Sequence, residues 1–214
     1  MNPEQVLEQV AQAVSVCHKC DLHYSRKKAV PGEGRPDAEI MFIGEGPGFH
    51  ENEQGRPFVG AAGKFLDELL ESIGLKRADV FITNIVKCRP PNNRDPRPEE
   101  IEACAGDYLE QQIQAINPKV IVTLGRFSMA RYLPDVKISN VHGRPMWIKG
   151  RLIVPMFHPA AALHQPSLKP ALMADFANLP EFISKATSSI GVTENSPDLP
   201  EEKPAENPKQ LSLF

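Results

Sequence analysis

The chain has 214 residues, 41% of them hydrophobic and 24% charged, with a formal net charge of −3. That length and apolar share suit one compact domain with a tail and exclude a chain disordered throughout. The charge excludes a strongly cationic, histone-like binder while leaving room for a local basic groove.

Asn2-Pro3-Glu4 is a helix-start signal: a capping side chain, a proline in the first turn, then an acid. Val6, Leu7, Val10, Ala13 and Val14 recur at helical spacing and predict an amphipathic helix ending near Cys17. Residues 39–43 read as a short buried strand running into a glycine-rich loop, Gly44-Glu45-Gly46-Pro47-Gly48. A helix over 61–73 follows, with Phe65, Leu66, Leu69 and Leu70 on one face and Gly74 as its stop. Next come a strand at 79–86, a loop at 90–98 holding four prolines, and a helix from Pro98 to about Ile116. A third strand (119–124), a short helix (125–132), a fourth strand (151–157) and a closing helix (170–185) complete the body.

Alternating strands and helices predict an α/β chain, a three-layer α/β/α fold around a central, mostly parallel four-stranded sheet. In such sheets ligands bind beyond the carboxyl ends of the strands. The loops 44–60, 84–98 and 158–166 should meet there.

Residues 187–214 carry five acids and two bases, which leaves residues 1–186 neutral with 22 of each. Pro197, Pro200, Pro204 and Pro208 fall in the same stretch, and apolar residues are scarce until its end. The chain therefore divides into a domain of residues 1–186, a tether of 187–209 and a terminal peptide of 210–214. The longest apolar runs, such as 40–43 and 120–124, are too short to span a bilayer, and the N-terminus lacks a basic start with an apolar stretch. A soluble cytoplasmic monomer without a membrane partner is expected.

Cys17-His18-Lys19-Cys20 is a C-x2-C pair, and Cys88 and Cys104 complete a set of four. Export, and with it disulfides, has no support in the sequence, so metal ligation is the expected use. Four thiolates suit zinc or a [4Fe–4S] cluster, and spacing does not separate them.

The glycine-rich loop with Gly55-Arg56-Pro57-Phe58-Val59-Gly60, then Asn84-Ile85-Val86-Lys87-Cys88-Arg89-Pro90-Pro91, then His158-Pro159-Ala160-Ala161, together resemble the three motifs of the family 4, iron–sulfur uracil-DNA glycosylases. The resemblance covers about residues 15–185, and the cysteine spacing agrees with it. It implies a [4Fe–4S] cluster on Cys17, Cys20, Cys88 and Cys104, and hydrolysis of the N-glycosidic bond of a flipped-out deoxyuridine, leaving an abasic site. Phe58 would stack on the extruded base, and Asn84 would pair with uracil N3–H and O4 while rejecting cytosine. His158 would hydrogen-bond the departing O2, with backbone amides around Gly46 helping. The acid that some related glycosylases carry in the first motif corresponds here to Gly46. Glu45 is therefore the second catalytic candidate, and Glu51 is expected beside uracil C5.

Arg56, Lys87, Arg89, Asn93 and Arg94 are the expected DNA contacts, with a loop at 162–164 offering Leu163 as the wedge. Many relatives have an arginine where His164 stands. Gln210-Leu211-Ser212-Leu213-Phe214 resembles the peptide by which bacterial DNA-processing proteins bind the sliding clamp. Leu211, Leu213 and Phe214 would act as anchors there, and Gln210 as the polar contact. Two rival readings are a non-catalytic lesion-binding adaptor recruited to the clamp and a zinc-stabilised nuclease. No clustered carboxylates or His/Asp set suggests the metal centre that such a nuclease needs.

Overall fold

The structure, a computed structural model, describes residues 1–188. The terminal peptide and all but the first two residues of the expected tether lie outside the described residues.

Helix α1 (Pro3–Ser15) starts where the sequence indicates, with Asn2 and Gln5 capping each other reciprocally. A turn of helix, α2 (Leu22–Ser25), and a two-residue strand, β1 (Glu33–Gly34), lead into β2 (Ile40–Gly44). After β2 come α3 (Phe49–Gln54), α4 (Ala61–Ser72) and β3 (Phe81–Asn84). Helices α5 (Pro98–Cys104) and α6 (Glu110–Ile116) form one rod interrupted by a π-helical stretch, Ala105–Leu109, immediately after Cys104. Then follow β4 (Val120–Leu124), α7 (Arg126–Ala130), α8 (Ile138–Val141), β5 (Met146–Ile148) and β6 (Arg151–Met156). The body closes with α9 (Pro159–His164), α10 (Lys169–Ala177) and α11 (Leu179–Ser188).

The sheet has six strands in the order β1-β3-β2-β4-β6-β5. Its four central strands are parallel, as expected; β1 and β5 add antiparallel edges that the sequence reading omits. Period-two alternation sorts the core. Ile40 and Phe42 of β2 join Phe65, Leu66, Leu172 and Phe176 on one face, while Met41 and Ile43 join Val10, Val14, Leu109 and Ile113 on the other. The result is the three-layer arrangement, with every residue of β2, β3 and β4 buried.

Three expectations need correction. The closing helix is two helices, because Pro180 cannot continue the rod and the chain breaks at Asn178. The second of these helices runs to Ser188, past the expected domain boundary. The segment 162–164 is not a loop but the end of α9, whose first turn is seeded by Pro159.

Candidate active site

The carboxyl ends of β2, β3 and β6 deliver Gly44, Asn84 and, two residues beyond the strand, His158 to one place. Gly44 pairs in register with Asn84. A Cβ on Gly44 would stand 2.4 Å from Asn84 Oδ1 and 2.7 and 2.9 Å from the tip of the Phe58 ring. The amide and the ring therefore converge above a residue that has no side chain to obstruct them. Asn84 is only 2% exposed, and its Oδ1 has no hydrogen-bond partner among the described residues. A buried unpaired acceptor is costly; Thr123 Oγ1 and Arg151 Nε share that state, so it is the place of Asn84 beside the Phe58 ring at the strand ends that makes it a candidate ligand contact.

Phe58 is 5% exposed and sits at φ +50°, a left-handed backbone that a bulky residue adopts only when its surroundings enforce it. Here Arg77 does so: Nη1 donates to the Phe58 carbonyl (3.0 Å) and Nη2 to the Pro57 carbonyl (2.6 Å). Gly63 of α4 lies so close that a Cβ would be 1.8 Å from the Phe58 carbonyl oxygen. The Phe58 and His158 rings stack with centroids 5.5 Å apart and planes 24° off parallel.

His158 caps α9, its Nδ1 accepting the Ala160 N–H at 3.1 Å. Since Nδ1 must present a lone pair there, the ring proton sits on Nε2, which leaves Nε2–H as the free donor. Desolvation lowers the imidazole pKa to about 4, against the pull of Glu51, so the ring is neutral at physiological pH.

The two carboxylates of the first loop have different tasks. Both oxygens of Glu51 are spent on the backbone: Oε2 accepts from Gly48 N–H (3.1 Å), and Oε1 from Val59 (2.8 Å) and Gly60 (2.9 Å). Glu51 thus clamps the starts of α3 and α4 together, and its charge reaches His158. Glu45 has its pKa raised to about 7, first by burial and then by Asp95, with Arg126 opposing. Arg126 in turn forms an ion pair with Asp95. Gly46 packs against the second motif, where a Cβ would be 2.8 Å from Val86 and 3.7 Å from Pro90, so a bulkier residue would crowd the junction.

The expected DNA contacts divide. Lys87 is 0% exposed with its ammonium bonded inside the protein, so its side chain is not a phosphate contact. Arg94 is bound by both oxygens of the buried Glu100, which ties it to that helix start while its side chain stays partly exposed. Arg56 remains on the surface but is paired with Glu33. Arg89 lies over the exposed Phe49 ring and donates to Asn93 Oδ1 (2.8 Å). Leu163 is 43% exposed on α9, as a wedge requires.

All four cysteines are free and line one shallow recess, partly open to solvent, with Val14, Leu22 and Tyr108. Backbone N–H groups of Lys19 and Lys87 donate to Cys17 and Cys104 Sγ, and Arg26 Nη1 to Cys88 Sγ. Burial raises the thiol pKa values of Cys20 and Cys88, and that of Cys104 to about 12. Desolvated thiols surrounded by donors favour a cationic group that ionises them. Among the described residues no three of His, Cys, Asp or Glu stand close enough to hold a single ion.

Sequence reasoning missed Arg77, whose partners lie 19 and 20 residues away, and the interior role of Lys87. Neither leaves a local signal.

A family model for the uracil DNA glycosylase superfamily matches residues 31–179, and the chain belongs to that superfamily. Within it, the chain is 48% identical over 194 residues to the type-4 uracil-DNA glycosylase of Archaeoglobus fulgidus, covering 86% of this chain and 96% of that one. It is 50% identical over 186 residues to the type-4 uracil-DNA glycosylase of Sulfurisphaera tokodaii (82% and 84% covered). It is 46% identical over 187 residues to that of Thermotoga maritima (85% and 97% covered).

Proposed function

We propose that this protein excises uracil from DNA by hydrolysing the N-glycosidic bond of an extruded deoxyuridine, leaving an abasic site for repair. The observation that carries this reading is the buried, unpartnered Asn84 Oδ1 converging with the Phe58 ring above Gly44. Oδ1 accepts uracil N3–H while the amide N–H₂ donates to O4. Cytosine presents an acceptor and a donor in those places, which leaves both partners unpaired, a mismatch worth about 10⁴-fold or more in discrimination.

The Phe58–His158 separation is that of a directly stacked pair, so a base does not slide between the rings. It lies against Phe58 with His158 at its edge. As the N1–C1′ bond breaks, the electron pair passes to uracil, and the negative charge on O2 is met by His158 Nε2–H. A neutral imidazole donates without first having to lose a charge, an advantage at a site that develops an anion. Water adds its oxygen to C1′ and gives its proton to the Glu45 carboxylate, whose charge also stabilises the cationic sugar. A carboxyl near pKa 7 is suited to accept that proton at neutral pH.

A [4Fe–4S] cluster fits Cys17, Cys20, Cys88 and Cys104. Four cysteines around one recess, with N–H groups aimed at sulfur, supply the thiolate ligands it takes, and the likeness to the iron–sulfur glycosylases favours it over zinc. When bound, the cluster supplies a cross-link from the end of α1 to the loop after β3, four residues from Asn84. Visible absorption of the purified protein that disappears with a chelator of iron supports this; a colourless protein holding zinc contradicts it. Among the described residues no helix is long and apolar enough to cross a membrane.

Residues 210–214 bind the sliding clamp, holding a monomeric body near the replicating DNA through residues 187–209. Deleting 210–214 abolishes clamp capture and leaves cleavage of a short oligonucleotide intact; capture that survives deletion overturns the assignment. The excision itself is tested with an oligonucleotide bearing one uracil. Alkali-sensitive breakage at that position is expected after incubation. Binding without breakage identifies a lesion-binding adaptor instead.

A further inference from the structure

Lys87 lies three residues after the base reader and next to a cysteine, yet its side chain never reaches solvent. Its Nζ donates to Thr83 Oγ1 (2.6 Å), Gln112 Oε1 (2.7 Å) and the Asn84 carbonyl (2.8 Å). An ammonium has three N–H donors, and all three are used. The network closes on itself, because Gln112 Nε2 (2.7 Å) and Thr83 Oγ1 (3.0 Å) both donate to the Pro31 carbonyl. The acceptors of Nζ are all neutral groups, and Gln112 and Thr83 are as buried as the lysine.

For stability alone this is a poor use of the interior. An apolar side chain of similar volume fills the same space without desolvating a cation. What the lysine provides that an apolar residue does not is a grip on the peptide of Asn84. That residue ends β3, and beyond it the chain turns toward Cys88. Its side-chain amide carries the unpartnered acceptor on the site side, while its carbonyl is fastened to Nζ.

We propose that Lys87 is a positioning residue for base recognition: by holding the Asn84 carbonyl it fixes the peptide from which the uracil-reading amide projects. The inference rests on Asn84 being the reader. It also makes one residue the link between the base reader and the cysteine recess, since the Lys87 backbone N–H donates to Cys104 Sγ at 3.3 Å while its side chain holds Asn84.

The test is a double-mutant cycle of Lys87→Met and Asn84→Ala, read as kcat/KM for uracil release from a single-stranded oligonucleotide. Visible absorption and melting temperature are recorded on each holoprotein. Lys87→Met is expected to lower kcat/KM about tenfold or more when Asn84 is present, and less than about twofold when it is alanine. Equal losses in both backgrounds overturn the proposal and leave Lys87 as a purely structural residue. Should Lys87→Met yield no folded protein, Gln112→Leu, which removes one anchor of the ammonium, replaces it in the same cycle with the same two outcomes. Asn84→Ala alone, if it excises uracil at the wild-type rate, refutes the reader assignment independently of Lys87.

Discussion

Gly44→Ala is the smallest perturbation that addresses both of the proposed base-binding groups at once. The added methyl would lie 2.4 Å from Asn84 Oδ1 and 2.7 Å from the Phe58 ring, against an ordinary contact well beyond 3 Å. Gly44 is not in the left-handed region, so the substitution adds volume and no backbone strain. Phe58 cannot yield at its backbone, which Arg77 and Gly63 hold, so the ring tip and the amide must move. Overpacking of this kind costs about 1–3 kcal/mol, and in the proposed reading it falls on the atoms that meet the base, where displacements of tenths of an ångström count. Translated into catalysis, that is a loss of roughly 5- to 150-fold in kcat/KM for uracil release from a single-stranded oligonucleotide. The same 1–3 kcal/mol is expected to lower the melting temperature by about 2–12 °C. A variant within twofold of wild type, with an unchanged melting temperature, would refute the convergence of Phe58 and Asn84 above this residue.

Glu45 links activity and stability to pH in opposite senses. Because its pKa rises from the ordinary 4.5 to about 7, kcat/KM should climb with pH through about 7 as the carboxylate forms, and Glu45→Gln should remove that limb. The raised value means that the folded protein binds the proton more tightly. The stability contribution is therefore complete below about pH 4.5 and lost as pH rises through about 7, by at most about 3 kcal/mol and less with partial solvent access. Denaturant melts of wild type and Glu45→Gln at pH 5 and pH 8 check the sign. Leu163→Ala should slow excision about tenfold or more in duplex DNA, where a gap must be filled, and under twofold in single strands. Equal losses on the two substrates would contradict the wedge.

The parts of the fold legible in the sequence were those buried on both sides. β2 and β4 are apolar runs, broken only by the buried Thr123 and bounded by polar or glycine residues, and they lie at the centre of the sheet. β1 and β5 are two and three residues long at the edges, with Trp147 exposed, and so carry no periodicity to find. α3 has the sequence Phe-His-Glu-Asn-Glu-Gln and no apolar face; it exists because Glu51 ties both its own start and that of α4. The site was legible where motif residues themselves point inward, as with Asn84 and Phe58. It was not legible where a side chain's partner lies far along the chain. Lys87 was read as a basic rim residue because lysine is almost always exposed, and only the fold brings Gln112 beneath it. Arg77 sits beyond the motifs, and its hold on Pro57 and Phe58 is a purely tertiary fact.

The central claim is that a neutral His158 stabilises the anion on which uracil departs. It is tested most directly by comparing wild type and His158→Ala on two substrates, one oligonucleotide containing uracil and one containing 5-fluorouracil, a better leaving group of nearly the same size. Single-turnover release from uracil is expected to fall about 10²- to 10³-fold in the variant, the cost of removing one such donor. Release of 5-fluorouracil, which needs less help to carry the charge, is expected to fall by clearly less. Equal losses on both substrates, or none on either, would contradict the account.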